Sequence, residues 1–286
     1  MSYTNIRRRK INEKSLNRLL ADSVPRYMAE IYAARGISNV NQLDLSLEGL
    51  IRPDELQNCE KAGFLIAKAV VERKSIVIVA DYDADGATAC TLISHFLKNV
   101  EARANYIVPD RRKHGYGLTP QIVNQVLKWK PELIITVDNG IASFEGIKEA
   151  KKFNIETIVT DHHLPADALP DALTIVNPNQ RNCNFPSKNL CGVGVVFYVA
   201  LSIRKSLREK NWFSRKPEPN MLQYLDLVAL GTVADVVPLD KNNRILVHQG
   251  LKQIQRNKSR AGIIAMLNVA NKKISNLNSL DLAFSL

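Results

Sequence analysis

Short apolar runs alternate with amphipathic stretches through the middle of this chain. Five runs rich in β-branched residues predict strands, at Ile76–Ala80, Tyr106–Val108, Leu133–Val137, Thr157–Thr160 and Thr174–Val176. Between the first four, apolar residues recur at helical spacing near residues 87–98, 119–129 and 142–153. This alternation predicts βαβ crossovers, and therefore an α/β fold with a parallel sheet and helices on both faces.

The regions on either side of this alternation have a helical pattern. Residues 15–35 and 56–72 predict helices, which together form a small helical leader. After Pro186, helices are predicted at residues 192–210, 219–230 and 245–269. We therefore expect three parts: a helical N-terminal leader at residues 1–72, a parallel-sheet domain at 73–240 and a helical extension at 241–286.

Composition excludes several classes of protein. Hydrophobic residues make up 45% and charged residues 23% of 286 residues, which is typical of a folded globular chain. No apolar run reaches the roughly 18 residues of a membrane span, and no signal peptide is visible. The four cysteines form no Cys-x-x-Cys pair, so we expect reduced thiols and a cytoplasmic protein without membrane contact. A disulfide or zinc site at Cys183 and Cys191 is the alternative.

The net charge of +11 comes from the two ends of the chain. Residues 1–35 hold eight Lys and Arg against three Asp and Glu, and residues 241–286 hold eight against one. Basic flanks around a nearly neutral middle suit a protein that attracts a polyanion such as nucleic acid. Solubility alone is the alternative explanation.

Three of the predicted strands end in an aspartate. Asp81, Asp138 and Asp161 directly follow the first, third and fourth apolar runs. In an open parallel sheet, ligands bind beyond the carboxyl ends of the strands, so these acids are expected to converge. A single acid at such a position is often only the cap of the next helix, and this is the favoured interpretation of Asp161 taken alone.

Further titratable side chains adjoin two of these aspartates. Asp83 and Asp85 come shortly after the first strand, and His162 and His163 shortly after the fourth. Carboxylates gathered in one cleft repel each other strongly unless a cation lies among them. Oxygen-rich ligation with imidazole and without thiolate suits Mn²⁺ or Mg²⁺ better than a structural zinc.

The run from Asp81 to Gly86 also matches the opening of an EF-hand calcium loop. The twelfth position of such a loop is a glutamate, whereas this chain has Leu92 there. A predicted strand also precedes the run where an EF-hand has a helix. These two differences exclude a calcium loop.

Two further features are weaker signals of a site. Asp235 is an acid within an otherwise apolar segment, where a charge needs a partner, although an exposed loop acid is the alternative. Glycine pairs at Gly115 and Gly117, and at Gly192 and Gly194, would let backbone amides approach phosphates. For the second pair, close packing of a helix start against the sheet is an equal alternative.

A pair of divalent ions about 4 Å apart can activate water and stabilise both oxygens of an in-line displacement at phosphorus. The sequence has no visible Ser-His-Asp arrangement, no G-x-S-x-G elbow and no P-loop for nucleotide hydrolysis. The residue chemistry therefore favours metal-dependent hydrolysis of a phosphate ester.

Together these motifs resemble those of the DHH phosphoesterases, and among them the RecJ-type single-strand-specific DNA exonucleases. The matching segments occur in family order, at residues 80–86, 114–118, 136–140, 160–163, 192–194 and 231–235. The leader is similar as well, around residues 33–37. The likeness covers nearly the whole chain and implies that residues 73–240 form a DHH catalytic domain with a parallel sheet.

The resemblance also implies roles for individual residues. Two Mn²⁺ or Mg²⁺ ions would be held by Asp83, Asp85, Asp138, His162 and Asp235. Asp138 would be the bridge between them. Catalytic roles are implied for Asp81 beside the ions, for His163 as a ligand or phosphate contact, and for His114. Substrate contacts are implied for Gly115, Tyr116, Gly117, Gly192 and Gly194.

The implied reaction is the 5′ to 3′ release of mononucleotides from single-stranded DNA in repair and recombination. A single-strand-binding protein and a helicase are further implied partners. An oligoribonuclease, a nucleotide phosphatase or a pyrophosphatase would use the same chemistry, but basic flanks argue against the smallest substrates. A non-catalytic scaffold that binds single-stranded DNA is the third alternative. In such a scaffold some of the metal ligands would be replaced, whereas in this sequence none of them is missing.

RecJ-type proteins continue into a second domain and an OB-type DNA-binding domain. Since this chain ends at Leu286, we expect either a shortened product or a remainder on a separate chain. The metal centre is expected to survive this difference. In RecJ-type proteins the further domains form the opposing wall of the cleft. Substrate clamping and 5′-end selection depend on that wall, so these are the two properties that the difference in length puts in question.

Overall fold

The computed structural model describes residues 8–285. Residues 1–7, which include Arg7 of the predicted basic N-terminal flank, and Leu286 lie outside this range. The chain divides into two compact units, residues 1–49 and residues 50–286. The three-part division at residues 72 and 240 stays a prediction.

The first unit contains two short helices, α1 (Glu13–Ala21) and α2 (Arg26–Ala33), where the sequence pattern predicted one continuous helix over residues 15–35. The break has a local cause. Ser23 adopts a left-handed backbone conformation with φ of 63°, and Pro25 has no amide to continue the first helix. Apolar side chains from both helices and from the segment that follows form the core of this unit, at Leu16, Leu19, Ala29, Ala33 and Ile37.

The second unit is built on a five-stranded sheet in which every pair is parallel. The strands are β1 (Ser75–Ala80), β2 (Arg103–Ile107), β3 (Leu133–Val137), β4 (Glu156–Thr160) and β5 (Thr174–Val176). Their spatial order is β2-β1-β3-β4-β5. The predicted fold class is confirmed: a parallel sheet flanked by helices, with a helical leader before it.

The helices of this unit are α3 (Cys59–Val71), α4 (Ala84–Asn99), α5 (Arg111–His114), α6 (Pro120–Val126), α7 (Phe144–Lys152), α8 (Gly192–Glu209), α9 (Leu225–Ala234), α10 (Lys241–Gln255), α11 (Ala261–Val269) and α12 (Ser279–Ser285). Val77 and Val79 of β1 share a core with helices α6 and α7. The alternate residues Ile76 and Ile78 are equally buried. Successive side chains of a strand point to opposite faces of the sheet, and here both sets are buried. Helices therefore cover both faces.

The C-terminal helices differ from their predicted extents. The pattern over residues 245–269 predicted one helix, but α10 ends before Asn257, which has a left-handed φ of 55°. Arg260 then donates its backbone amide to the carboxylate of Asp226 at 3.0 Å, and its guanidinium pairs with the same buried group. This buried ion pair fixes the turn between α10 and α11. Within residues 8–285 no helix is both long and apolar enough to cross a membrane.

Helices α3 and α8 cross closely at Gly63. An alanine Cβ at this position would lie 2.5 Å from the Cβ of Ser202. We therefore expect Gly63→Ala to lower the free energy of unfolding by about 1–3 kcal/mol, because the two backbones must move apart. Urea unfolding measures this change.

The matched control is Gly262→Ala in α11, where no atom lies within 4 Å of the added Cβ. That substitution should raise the free energy of unfolding by about 0.4–1 kcal/mol, because alanine lowers the entropy of the unfolded chain. Equal effects of the two substitutions would contradict the close crossing of α3 and α8.

Candidate metal centre

The strand order brings three aspartates to one edge of the sheet. Asp81, Asp138 and Asp161 follow β1, β3 and β4, which are neighbours in space. The backbone ladder continues into them, since the Asp81 amide donates to the carbonyl of Val137 at 3.2 Å and the Asp138 amide to that of Thr160 at 3.0 Å. The chain order reverses between β1 and β3, and ligands of such sheets bind at this switch point.

The turn after β1 presents two more carboxylates. Asp83 is the N-cap of α4, and its Oδ1 accepts from the amide of Gly86 at 2.8 Å. Glycine is required there because an added Cβ would lie 2.6 Å from the carbonyl oxygen of Asp81. The tight turn therefore places Asp83 and Asp85 next to the end of the strand.

Asp85 is buried, with 1% of its surface exposed, and it binds the start of α8. Its Oδ2 accepts from the amide of Gly192 at 2.6 Å and its Oδ1 from that of Val193 at 2.8 Å. The positive end of this 18-residue helix thus faces the acidic cluster. The Gly192 amide was predicted to approach a phosphate, with close packing of the helix start as an equal alternative, and in the structure it donates instead to a carboxylate of the chain itself. A substrate contact by Gly192 stays a prediction.

Two of the other three glycines in the predicted substrate segments, Gly194 and Gly117, have distinct packing roles. Gly194 lies where an added Cβ would be 2.5 Å from Leu190, so it allows α8 to pack closely. Gly117 has a left-handed φ of 69°, and an added Cβ would lie 3.1 Å from the hydroxyl of Ser143. Their contacts with substrate also stay predictions.

His162 lies among carboxylates from three separate parts of the chain. Its Nε2 is 3.2 Å from Asp138 Oδ1, 3.6 Å from Asp235 Oδ2 and 3.7 Å from Asp85 Oδ2. Asp235 comes directly after α9, so this helix end closes the cluster. The structure therefore joins acids that are up to 150 residues apart in the sequence.

Within residues 8–285, ligand atoms of three sets of side chains lie within 4.8 Å of one another. The sets are Asp81 with Asp83 and Asp138, Asp85 with His162 and Asp235, and Asp138 with His162 and His163. Asp138 and His162 each belong to two sets. All five predicted ligands are thus brought together, and Asp138 is central to them.

The donor set fits a divalent cation. Asp138 Oδ1 and Asp235 Oδ2 are buried and have no hydrogen-bond partner, although both lie near His162. Buried carboxylate oxygens without partners are costly, and a cation would satisfy them. Carboxylates with one or two imidazoles match the preferences of Mn²⁺ and Mg²⁺.

Burial and mutual repulsion disfavour the charged carboxylates. Burial, together with the charges of Asp83 and Asp161, raises the pKa of Asp138 to about 9. Burial and the nearby Asp138 raise the pKa of Asp85 well above its ordinary value. A cation among these groups would reverse both shifts because it favours the ionised forms.

Asp138 also has an unusual backbone conformation, with φ of 61°. Aspartate tolerates the left-handed region better than most residues, yet the conformation still stores strain, as is common at functional sites. Gly192 packs against this residue, and a Cβ on Gly192 would lie 2.4 Å from Asp138 Oδ1. The absence of a side chain at Gly192 therefore leaves the room that this carboxylate occupies.

Asp161 orients the ring of His163 and binds the backbone of His162, a role that the sequence analysis did not assign to it. Its Oδ1 accepts from the Nδ1 of His163 and the backbone amide of His162, both at 2.7 Å, and its Oδ2 accepts from the amide of Ile141 at 2.9 Å. Burial opposes ionisation, but the bonds from His163 outweigh it and hold the pKa of Asp161 below its ordinary value. The hydrogen bond to Asp161 raises the pKa of His163 to about 9. Its place directly before two histidines was the available signal.

A basic and aromatic patch, formed by Tyr82, Arg111 and Tyr116, flanks the cluster. The guanidinium of Arg111 lies 5.5 Å from the ring centre of Tyr82 and 5.8 Å from that of Tyr116. The Tyr116 hydroxyl lies 3.3 Å from the carbonyl oxygen of Asp138 and 3.4 Å from His163 Nε2. Sequence reasoning identified Tyr116 and missed the other two, although the basic run before His114 was a signal.

His114 is not one of the side chains that meet in the cluster. Its Nε2 accepts from the side-chain amide of Gln125 in α6 at 2.7 Å. Gly115, which follows it, has a left-handed φ of 77° and ends α5. A catalytic role for His114 and a substrate contact by Gly115 stay predictions.

Comparison with known proteins decides the family. Residues 75–232 match the model of the DHH family, N-terminal domain. The chain belongs to the DHH family. The matched region begins at β1 and ends in α9, so it contains the sheet and four of the five predicted metal ligands, with Asp235 just beyond it.

Among curated proteins, this DHH chain is similar to the single-stranded-DNA-specific exonuclease RecJ of Escherichia coli. The two are 45% identical over 98% of this chain and 49% of the relative. RecJ of Bacillus subtilis is 36% identical over 82% of this chain and 28% of its own length. The chain thus spans about half, or less, of these relatives. The similarity to RecJ-type members predicted from the motifs is confirmed.

Among solved structures, this DHH chain is similar to RecJ from Thermus thermophilus in complex with Mn²⁺. The TM-score is 0.78 at 28% identity, over 96% of this chain and 38% of that one. A second structure, of exonuclease RecJ bound to manganese, has a TM-score of 0.70 at 31% identity, over 80% of this chain and 55% of that one. The fold of the DHH domain is therefore shared with proteins solved with manganese.

Proposed function

We propose that this chain is the catalytic part of a metal-dependent exonuclease that removes nucleotides from the 5′ end of single-stranded DNA. The observation that carries the proposal is the convergence of buried, partly unpaired carboxylates on His162 at the switch point of the sheet. The similarity to RecJ proteins named as single-stranded-DNA-specific exonucleases supports the choice of substrate.

The residues that would hold two Mn²⁺ or Mg²⁺ ions are Asp83, Asp85, Asp138, His162 and Asp235. Asp138 is the proposed bridge because it belongs to two of the three converging sets and, unlike His162, which also belongs to two, it is a carboxylate with two oxygens. Asp81 lies beside Asp83 and Asp138, and its negative charge would strengthen the attraction of this group for the cations. When bound, such ions supply an activated water and stabilise charge on the phosphoryl oxygens.

His163 is suited to bind the phosphate that is cleaved. Its Nδ1 is engaged by Asp161, and its pKa of about 9 keeps a proton on the ring at neutral pH in the metal-free protein. Its side chain is 46% exposed, so Nε2 can donate to a non-bridging phosphate oxygen. Asp161 fixes the orientation of the ring for that contact.

Arg111 and the two tyrosines form a surface for the DNA strand. A guanidinium can pair with a phosphate, and exposed aromatic faces can stack with bases without sequence preference. Tyr82 is 47% and Tyr116 40% exposed, so both rings are accessible. On the resemblance alone, we propose a single-strand-binding protein and a helicase as partners, and the cytoplasm as the compartment.

The test is digestion of 5′-labelled and 3′-labelled oligodeoxynucleotides, single-stranded and duplex, with Mn²⁺ or with EDTA. We expect rapid release of labelled mononucleotide from the 5′ end of single strands with Mn²⁺ only. Equal digestion of duplex, or release from the 3′ end first, would contradict the proposal. Faster hydrolysis of oligoribonucleotides or of mononucleotide phosphates would assign the same centre to another substrate.

A further inference from the structure

Two exposed aliphatic side chains lie next to the metal centre. Among residues 8–285, four large hydrophobic side chains are at least 79% exposed: Leu164, Val236, Val269 and Phe284. The first directly follows His163 and the second directly follows Asp235. Because Asp235 Oδ2 lies 3.6 Å from the ring of His162, both aliphatic residues belong to segments that meet at the same site.

Val236 has a backbone conformation that disfavours valine. Its φ is 57°, in the left-handed region. Eleven non-glycine residues of the described chain have positive φ, and Val236 is the one β-branched residue among them. A branched side chain is strained in this region, whereas asparagine is well tolerated and occupies five of these eleven positions.

The strain at Val236 is not offset by packing. Its side chain is 79% exposed, so burial inside the folded chain contributes little. The backbone turn that ends α9 imposes this conformation, and strained residues of this kind cluster at functional sites. An apolar side chain held in solvent beside a metal-binding aspartate therefore suggests a partner that comes from outside the chain.

We propose that Val236, together with Leu164, contacts the sugar and base of the nucleotide next to the cleaved phosphate. The inference rests on the proposed function. A phosphate bound at His163, beside ions held by His162 and Asp235, would bring its nucleoside to the segments that carry both side chains, because Leu164 directly follows His163 and Val236 directly follows Asp235. Deoxyribose and base faces are largely apolar and suit aliphatic contacts, whereas the phosphates are bound by charged groups.

The contact is tested with two substitutions at one position. Val236→Asn relieves the backbone strain and removes the apolar contact, so we expect Tm to rise by about 2–4 °C. In the same variant, Kd for a fluorescent single-stranded oligodeoxynucleotide should weaken by about 3- to 10-fold, and KM for cleavage should rise alongside it. Val236→Ile keeps both the strain and the apolar surface, and should leave Tm, Kd and KM near the wild-type values.

Val269→Asn is the matched control. It removes an equally exposed valine, 85% accessible, from the last position of α11, outside the metal centre. Its Kd and KM should equal those of the wild type. Kd is measured by fluorescence anisotropy with Ca²⁺ in place of Mn²⁺, so that binding is recorded apart from cleavage.

The outcomes separate this inference from the proposed function. A rise in Tm with unchanged Kd in Val236→Asn would overturn the inference, as would equal weakening in Val269→Asn. A fall in Tm would also overturn it, since it would show that the valine stabilises the fold. If the wild type binds single-stranded DNA but does not cleave it, the proposed function fails, and Kd alone still decides whether Val236 contacts the strand. A wild type without binding would overturn the inference as well.

Discussion

Replacing Asp138 by alanine is expected to reduce Mn²⁺-dependent cleavage of single-stranded DNA by at least about 10³-fold. Asp138 belongs to two of the converging ligand sets, so its removal should disrupt the binding of both ions. Their charge stabilisation is worth several kcal/mol, and about 4 kcal/mol corresponds to a factor of 10³ in rate. Single-turnover digestion of a 5′-labelled oligonucleotide measures this loss.

The fold should survive the Asp138→Ala substitution. The wild-type carboxylate is buried, repelled by neighbouring acids and without a hydrogen bond to Oδ1, so removing it also removes an unfavourable interaction. The circular dichroism spectrum of the metal-free variant should match that of the wild type, and its Tm should lie within a few degrees of the wild-type value, because the strain of alanine at φ of 61° offsets part of this gain.

The matched control is Asp171→Ala. Asp171 is 90% exposed, pairs with Lys151, and precedes β5, at the end of the sheet opposite the metal centre. Its removal should leave cleavage unchanged. More than a tenth of wild-type activity in Asp138→Ala would refute the assignment of Asp138 to the centre.

The second large effect is a pH-dependent stabilisation by Mn²⁺. At 100 times its Kd, the ion should raise the free energy of unfolding by about 2.7 kcal/mol, and hence Tm by about 5–10 °C. We expect that rise near pH 8 and less than about half of it near pH 5.5. Mn²⁺ competes with protons for the carboxylates, so binding weakens as they become protonated.

The metal-free protein should show the opposite trend, becoming less stable as pH rises. The pKa of Asp138 is raised from 3.8 to about 9, so the folded chain binds more protons than the unfolded chain between these values. The free energy of unfolding is therefore highest below pH 3.8 for this group, and falls as pH rises towards 9. The raised pKa values of Asp81, Asp85 and Asp235 have the same sign.

The Asp161–His163 pair does not reverse this trend in the tested range. The pKa of His163 is raised from 6.5 to about 9, so its contribution is complete below 6.5 and is also lost as pH rises. The pKa of Asp161 is lowered from 3.8, so its contribution is lost only below that value. Thermal unfolding with EDTA or Mn²⁺ at pH 5.5, 7 and 8 measures both trends.

Asp138→Asn provides the control for these measurements. It keeps the size of the side chain but cannot ionise, so its Tm with EDTA should depend less on pH. Its response to Mn²⁺ should be small at every pH. A Mn²⁺ effect of equal size at pH 5.5 and pH 8 would contradict a centre built from carboxylates with raised pKa values.

Much of this site was predictable because its signals are local. Strand-forming runs were found from β-branched residues, and Leu133–Val137 and Thr174–Val176 match the observed strands at both ends. An aspartate after a buried strand is placed at the carboxyl edge whatever the rest of the chain does. The same reasoning placed His162 and His163 near that edge.

Other features depended on how distant segments pack. One helix was predicted where the structure has two, α10 and α11. The turn between them is fixed by the buried ion pair of Arg260 with Asp226, and these two residues are far apart in the sequence. The amide of Gly192 was predicted to approach a phosphate, with close packing of the helix start as an equal alternative, but it donates to Asp85, more than 100 residues earlier, as does the amide of Val193. Neither contact has a signature in the local pattern.

The residue pattern along the chain is enough to predict a parallel α/β sheet with a carboxylate-rich edge and to identify the motifs of the DHH family. Three features emerge only when the chain is folded: β1 and β3 are neighbours, Asp138 belongs to two sets of ligands, and Asp161 accepts a hydrogen bond from the ring of His163. The difference lies in the sequence separation of the interacting residues. Hydrophobic periodicity and turn chemistry act over a few residues, whereas strand order, buried charge and the exposure of Val236 are set by contacts between segments that are remote in the chain.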